Sequence, residues 1–191
     1  MDVKDLFRET TAAASGVIVR IQPAQLHNPT PCTKWDLRSL LSHMTYEMSW
    51  VPDLLAGKTI AAVGDTHEGD LLGDDPLGAW GQALAAALAA VDKAHLKKTV
   101  HLSYGDFSAE HYIRESASDM LIHGWDVSKA IGHPLTFDIK AAQEVYEYAL
   151  PRSAEFRGSG LFGDVLPTKP DDSIQVKLLA FYGRDVSWRS A

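Results

Sequence analysis

Apolar residues recur at intervals of three and four along most of the chain, the period of helices that bury one face. From about Asp2 to Ile21, Val3, Leu6, Phe7, Thr10, Ala14, Val17 and Ile21 fall in phase, and Pro23 stops the run. Residues Gln22 to Pro31 read as a loop. A second helix is expected from near Lys34, with Thr33 and Asp36 as a capping box and Leu37, Leu40, Leu41, Met44, Met48 and Val51 as its core stripe. Pro52 is expected to kink it or end its regular part, and Gly57 to close it. Lys58 to Pro76 has no sustained period and reads as a long surface loop, in the manner of a lid. An alanine-rich third helix follows from about Leu77 to Leu96. Thr99 to Tyr104 alternates like a strand, Gly105-Asp106 marks a turn, and Ser108 is placed to cap a long helix reaching Ile131. Asp138 caps a helix over Ile139 to Phe156, Arg157 to Asp172 is a Gly/Pro-rich loop, and Ser173 to Tyr182 forms a last short helix ended by Gly183. Four long helices with short extras predict an all-α fold: a four-helix up-and-down bundle, with a small hairpin between helices three and four, as one domain over residues 1–191.

Charge narrows the partners. The net charge is −7 and no basic run stands out, which excludes nucleic acid and an anionic membrane surface as expected partners. No apolar run approaches the ~20 residues that span a bilayer. The N-terminal MDVKDLFRET lacks a signal-peptide core, and one cysteine rules out an internal disulfide. A cytoplasmic protein acting on a small molecule, as monomer or homodimer, is the expectation. The acidic stretch Asp65 to Pro76 lacks the ligand order of an EF-hand, so no calcium site is expected there.

The helix from Ser108 to Gly132 carries the chemistry. Ile113, Ala117, Met120, Gly124, Val127 and Ile131 form its apolar stripe, and Asp119 and His123 lie on the shoulder. Four residues apart, they stack on successive turns. They can share one metal ion, or the carboxylate can simply accept a hydrogen bond from the imidazole. A metal needs a third ligand from another helix. His27, His67 and His133 fall in loops, and His95 and His101 at element ends. His111 lies three turns from His123, about 18 Å along the axis. His43 combines a mid-helix position with a core-edge face, although that is also where a boundary histidine sits. His43, Asp119 and His123 together would leave coordination positions open, the catalytic pattern, with zinc the first expectation and nickel, iron or manganese the alternatives. Asp126 either orients a ligand imidazole or pairs with a neighbouring charge. Trp35 and Trp125 read as packing residues first and substrate-facing residues second. Cys32 reads as a small buried residue, its alternative being a thiol activated at a helix N-terminus. Glu47 and Glu115 read as solvated or bundle-edge charges, and Arg184 as a ligand of a loop or helix end.

PTPCTKWDLRSLLSHM, DMLIHGWDVSKAIG and LLAFYGRD occur in that order. They resemble the signatures of small actinobacterial metal-binding proteins similar to the N-terminal domain of mycothiol-dependent maleylpyruvate isomerase, within the DinB/YfiT-like metalloenzyme superfamily. The resemblance covers nearly the whole chain. It implies a DinB-like bundle with a divalent metal on His43, Asp119 and His123, Asp119 standing where the isomerase has glutamate. The isomerase's second domain is not expected in this chain. The function it implies is a thiol-dependent S-transferase or isomerase, with mycothiol as cosubstrate and a small electrophile as substrate. A metal-water hydrolase or lyase, and a non-catalytic metal or small-molecule binding protein, are the alternatives.

Overall fold

The computed structural model describes residues 1–153 and 163–190. Its helices are α1 (Val3–Ile18), α2 (Leu37–Ala56), α3 (Ile60–Val63), α4 (Pro76–Lys93), α5 (Ala109–Ala130), α6 (Ile139–Ala149) and α7 (Ile174–Phe181), with one antiparallel hairpin, β1 (Thr99–Leu102) and β2 (Gly105–Ser108). The fold is thus mostly helical with a small two-stranded hairpin. α1 packs on α5 and α2 on α4, while α2–α5 and α1–α4 contacts close the ring. α6 and α7 pack on each other, and α6 also meets α1 and α5. No helix among the described residues is long and apolar enough to cross a membrane.

The helices begin where side-chain oxygens satisfy free N–H groups. Asp2, Asp75, Ser108, Asp138 and Ser173 cap α1, α4, α5, α6 and α7. α2 starts three residues later than the expected Lys34. Its cap is Asp36 itself, whose Oδ1 accepts from the Ser39 N–H at 2.8 Å and the Ser39 hydroxyl at 2.6 Å. A capping box from Thr33 is therefore not formed. α2 runs through Pro52 to Ala56, and Gly57 ends it in the left-handed conformation with φ 92°. α1 stops at Ile18, because Arg20 and Ile21 turn to three-residue hydrogen bonds on Val17 and Ile18.

Four other boundaries differ from the sequence expectation. The stretch 58–76 is not one loop: it holds α3, capped by Thr59, and a short 3₁₀ turn, Gly64–His67. α4 ends at Lys93 rather than Leu96. The hairpin reverses at Ser103-Tyr104, since Leu102 pairs with Gly105, so Gly105-Asp106 opens the second strand. α6 ends at Ala149; residues 154–156 of the expected helix and 157–162 of the expected loop lie outside the described residues.

α5 is the axis of the molecule. Every residue from Met120 to Ser128 is buried, so the helix is enclosed on all sides and not merely along one stripe. Gly124 permits this: a Cβ there would lie 3.0 Å from Ala14 Cα and 3.1 Å from Ala14 Cβ. The close approach of α1 to α5 at Gly124 fixes the depth of His123 beside it.

Candidate metal centre

α2 and α5 bring His43, Asp119 and His123 together, with one ligand atom of each within 4.8 Å of the others. His43 Nε2 lies 3.6 Å from Asp119 Oδ2, and His123 Nε2 lies 3.3 Å from Asp119 Oδ1. The two imidazole rings meet edge-on, 5.0 Å between centroids. A separation of 3.6 Å is too long for a hydrogen bond. Both separations are close to the roughly 3.4 Å between two donors on one tetrahedral ion with bonds of about 2.1 Å. Asp119 Oδ2 is buried and has no hydrogen-bond partner among the described residues. A carboxylate oxygen removed from water without a donor is costly, and a cation is the partner that would satisfy it. The donor set of two nitrogens and one carboxylate fits zinc and related divalent ions.

A second group, Cys32, His123 and Asp126, also has its ligand atoms within 4.8 Å of one another. It uses the opposite nitrogen of the same imidazole. His123 Nδ1 donates to Asp126 Oδ2 at 2.9 Å, and the Cys32 thiol donates to the same oxygen at 3.1 Å. Arg184 grips the carboxylate with Nε at 3.1 Å from Oδ1 and a terminal nitrogen at 2.9 Å from Oδ2, and that nitrogen also reaches Cys32 Sγ at 3.0 Å. Asp126 is wholly buried and the Arg184 side chain is 12% exposed.

Electrostatics separate the two sides. Burial alone would push the Asp119 and Asp126 carboxyls up and the His123 imidazole down. Charges and hydrogen bonds reverse all three. His123 and His43 hold Asp119 well below the carboxylate range, His123 and Arg184 hold Asp126 low, and Asp119 with Asp126 raises His123 well above its usual value. Burial pushes the Cys32 thiol up, with only partial opposition from its His123 contact. A raised thiol pKa argues against Cys32 as an activated nucleophile.

The open side carries two residues for which the sequence left two readings. Glu47, one turn beyond His43 on α2, is the bundle-edge charge rather than the solvated one. Its Oε1 lies 3.9 Å from His43 Nδ1. Burial of the carboxyl and then the Asp119 charge push it up to about 7, against the pull of His43 and His123. Trp35 is more than packing: its ring centroid lies 4.7 Å from that of His43 and 5.9 Å from that of His123, so it roofs both imidazoles. Trp125 is buried, with the Lys129 ammonium 5.2 Å over its ring, as a packing residue should be. An open groove of about 310 Å³ adjoins His43 and is lined by Ser42, Tyr46, His67, Glu68, Gly69 and Leu71. Glu115 accepts a hydrogen bond from Tyr104 at 2.5 Å and is likewise a bundle-edge charge. Arg184 is the residue most completely missed. Its partner Asp126 lies 58 positions earlier, and no local pattern links them.

A bundle of this kind with an acid-x-x-x-His pair on a buried helix defines a class, and the chain belongs to the mycothiol maleylpyruvate isomerase N-terminal domain family, whose model matches residues 7–128. Two relatives are uncharacterized proteins of Mycobacterium tuberculosis, MT0763 and Rv0738, each 28% identical over 180 residues that cover 91% of this chain and 93% of theirs. The crystal structure of a histidine-to-alanine mutant of mycothiol-dependent maleylpyruvate isomerase shares the fold, with a TM-score of 0.65 at 12% identity over 85% of this chain and 72% of that one.

Proposed function

We propose that the protein is a divalent-metal-dependent enzyme that joins a low-molecular-weight thiol, mycothiol in the first instance, to a small electrophile, as an S-transferase or as an isomerase when the thiol leaves again. The observation that carries this is the Asp119 carboxylate, set between His43 Nε2 and His123 Nε2 with a buried Oδ2 that has no hydrogen-bond partner among the described residues, beside an open groove. The family's name supplies the thiol.

His43, Asp119 and His123 would hold the ion, zinc before nickel, iron or manganese. When bound, the ion favours the thiolate form of a ligand sulfur, the reactive form at neutral pH. The chain's own residues do the rest. Asp126 keeps a proton on His123 Nδ1, which leaves Nε2 as the ligand atom. Glu47, with an acidity near neutral, is placed to take the thiol proton. Trp35 shields the two imidazoles from bulk water on one side. Cys32 is bound to Asp126 and Arg184 and kept as a thiol, so the nucleophile comes from outside the chain.

Glu47 also favours a second reading, a hydrolase or lyase in which it receives the proton of an attacking water. The two part on thiol dependence. Zinc-loaded protein is incubated with mycothiol and a panel of small electrophiles, and adducts are sought by mass spectrometry. Adducts that need both metal and thiol support the transferase. Turnover without added thiol supports the hydrolase or lyase, and metal binding with neither outcome leaves a binding protein.

A further inference from the structure

The family match ends at residue 128, yet a residue far beyond it reaches the centre. We infer that Arg184 is a positioning residue for the metal site, acting through Asp126 on His123, so that the segment after α7 is a working part of the site. The inference rests on the metal assignment to His43, Asp119 and His123.

The chemistry follows from counting donors. Asp126 receives the Arg184 guanidinium on both of its oxygens, and a carboxylate paired with a guanidinium in this way only accepts hydrogen bonds. Arg184 Nε approaches both oxygens, at 3.1 and 3.3 Å, and its terminal nitrogen reaches Oδ2 at 2.9 Å. The planar fork fixes the plane of the carboxylate. With that plane fixed, Oδ2 faces His123 Nδ1 at 2.9 Å and must receive a proton from it. The proton on Nδ1 leaves the Nε2 lone pair as the free one, and Nε2 faces Asp119. Cys32 lies within the same set, donating to Oδ2 and accepting from Arg184. A cation held by Cys32, His123 and Asp126 would have to sit against the guanidinium. That group of three is therefore the support of the site and not a second ion position.

Arg184 is itself held from behind. Its other terminal nitrogen donates to Tyr182 O at 3.0 Å and its backbone N–H to Leu179 O at 2.8 Å. Gly183 before it has φ 72° and lies against Gly163, where a Cβ would come within 2.9 Å of backbone atoms. The turn that ends α7 thus aims the guanidinium inward, and only glycine fits there.

The test measures zinc affinity by competition with a chromogenic chelator, together with the His123 ring ¹H–¹⁵N signals of the zinc-loaded protein. Wild type should show a protected Nδ1–H proton and a metal-bound Nε2. Arg184→Met should weaken zinc about 10- to 100-fold, the usual cost of losing an outer partner, and should expose the Nδ1–H to exchange. Arg184→Lys should recover part of the affinity, since it restores charge without the fork. If Arg184→Met does not fold, the double variant Arg184→Met/Asp126→Leu, which leaves no buried charge unpaired, should fold and still bind weakly. Full affinity and an unchanged Nδ1–H signal in the methionine or the double variant overturn the inference. His43→Ala is the control for the underlying assignment. Loss there with none at Arg184 rejects the positioning role alone, whereas no loss at His43 rejects the metal assignment. Cys32→Ser should keep affinity within a few-fold; a large loss, with a sulfur-to-metal charge-transfer band in cobalt-loaded wild type, would make Cys32 a ligand and overturn the supporting role of its group.

Discussion

The two nitrogens of His123 face opposite worlds. On the Nδ1 side, Asp126 is wholly enclosed and receives donors from His123, Cys32 and Arg184. On the Nε2 side, Asp119 keeps a buried oxygen with no donor among the described residues, and Trp35, Glu47 and an open groove stand around it. One imidazole therefore joins a satisfied half to an unsatisfied half. The satisfied half behaves like protein interior, where each donor has an acceptor. The unsatisfied half behaves like a binding site before its ligand arrives.

Substitutions can break that contrast. The largest effect is expected at His123, which belongs to both halves. His123→Ala should abolish zinc binding and turnover together, because two remaining ligands hold an ion poorly; retention of tight zinc in equilibrium dialysis would show that His123 is not a ligand. On the satisfied side, Asp126→Ala leaves a buried guanidinium without its anion and should destabilise the fold by about 3–5 kcal/mol, read from urea denaturation of metal-free protein. Asp119→Asn should shift the balance the other way, with loss of zinc affinity exceeding the roughly 10- to 100-fold cost of an outer partner and a smaller loss of metal-free stability than Asp126→Ala. Equal destabilisation by the two would erase the contrast between the two halves. Gly124→Ala tests the contact that sets the depth of His123, since the new methyl meets α1 backbone at 3.0 Å. Overpacking of this kind costs about 1–3 kcal/mol, visible as a lower denaturation midpoint.

The smallest effect concerns pH. Glu47 titrates near 4.5 in the unfolded chain and near 7 in the folded one, so the folded state binds the extra proton between those values. Stability of the metal-free protein should then fall as pH rises from about 4.5 to 7 through this group. Glu47→Gln should flatten that part of the profile, and bound zinc should flatten it too by neutralising Asp119. An unchanged slope in Glu47→Gln would show that Glu47 carries none of it.

Much of this was legible in the sequence, and for local reasons. Capping residues, glycine stops and the three-four spacing act within one or two turns, so α1, α2, α4 and α5 were visible to within a few residues. Asp119 and His123 were visible because a helix guarantees that residues four apart meet. His43 was reached by asking which histidine lay mid-helix on a core edge. The start of α2 was misjudged because Thr33 and Asp36 both suit a cap, and only the packing of the preceding loop, with Pro29 bridged to Asp36, chooses between them. Glu47 and Trp35 were left between two readings because the choice depends on Asp119 and His123, which α5 brings against α2 and the loop before it. Arg184 and Cys32 meet at Asp126 from three distant segments. No periodicity reports such a meeting; it exists only in the folded chain.

Trp35 has an optical consequence. Its indole lies against His43 and His123, and indole emission is sensitive to a protonated imidazole in contact with it and to paramagnetic ions nearby. Among the five tryptophans of the chain, this one would act as the reporter of the centre. Titration with zinc should alter its brightness as the imidazoles exchange protons for the ion, and nickel should darken it further. Trp35→Phe should remove that signal while leaving the emission of the other four. The roof of the site thus doubles as a light by which its filling can be followed without any added dye.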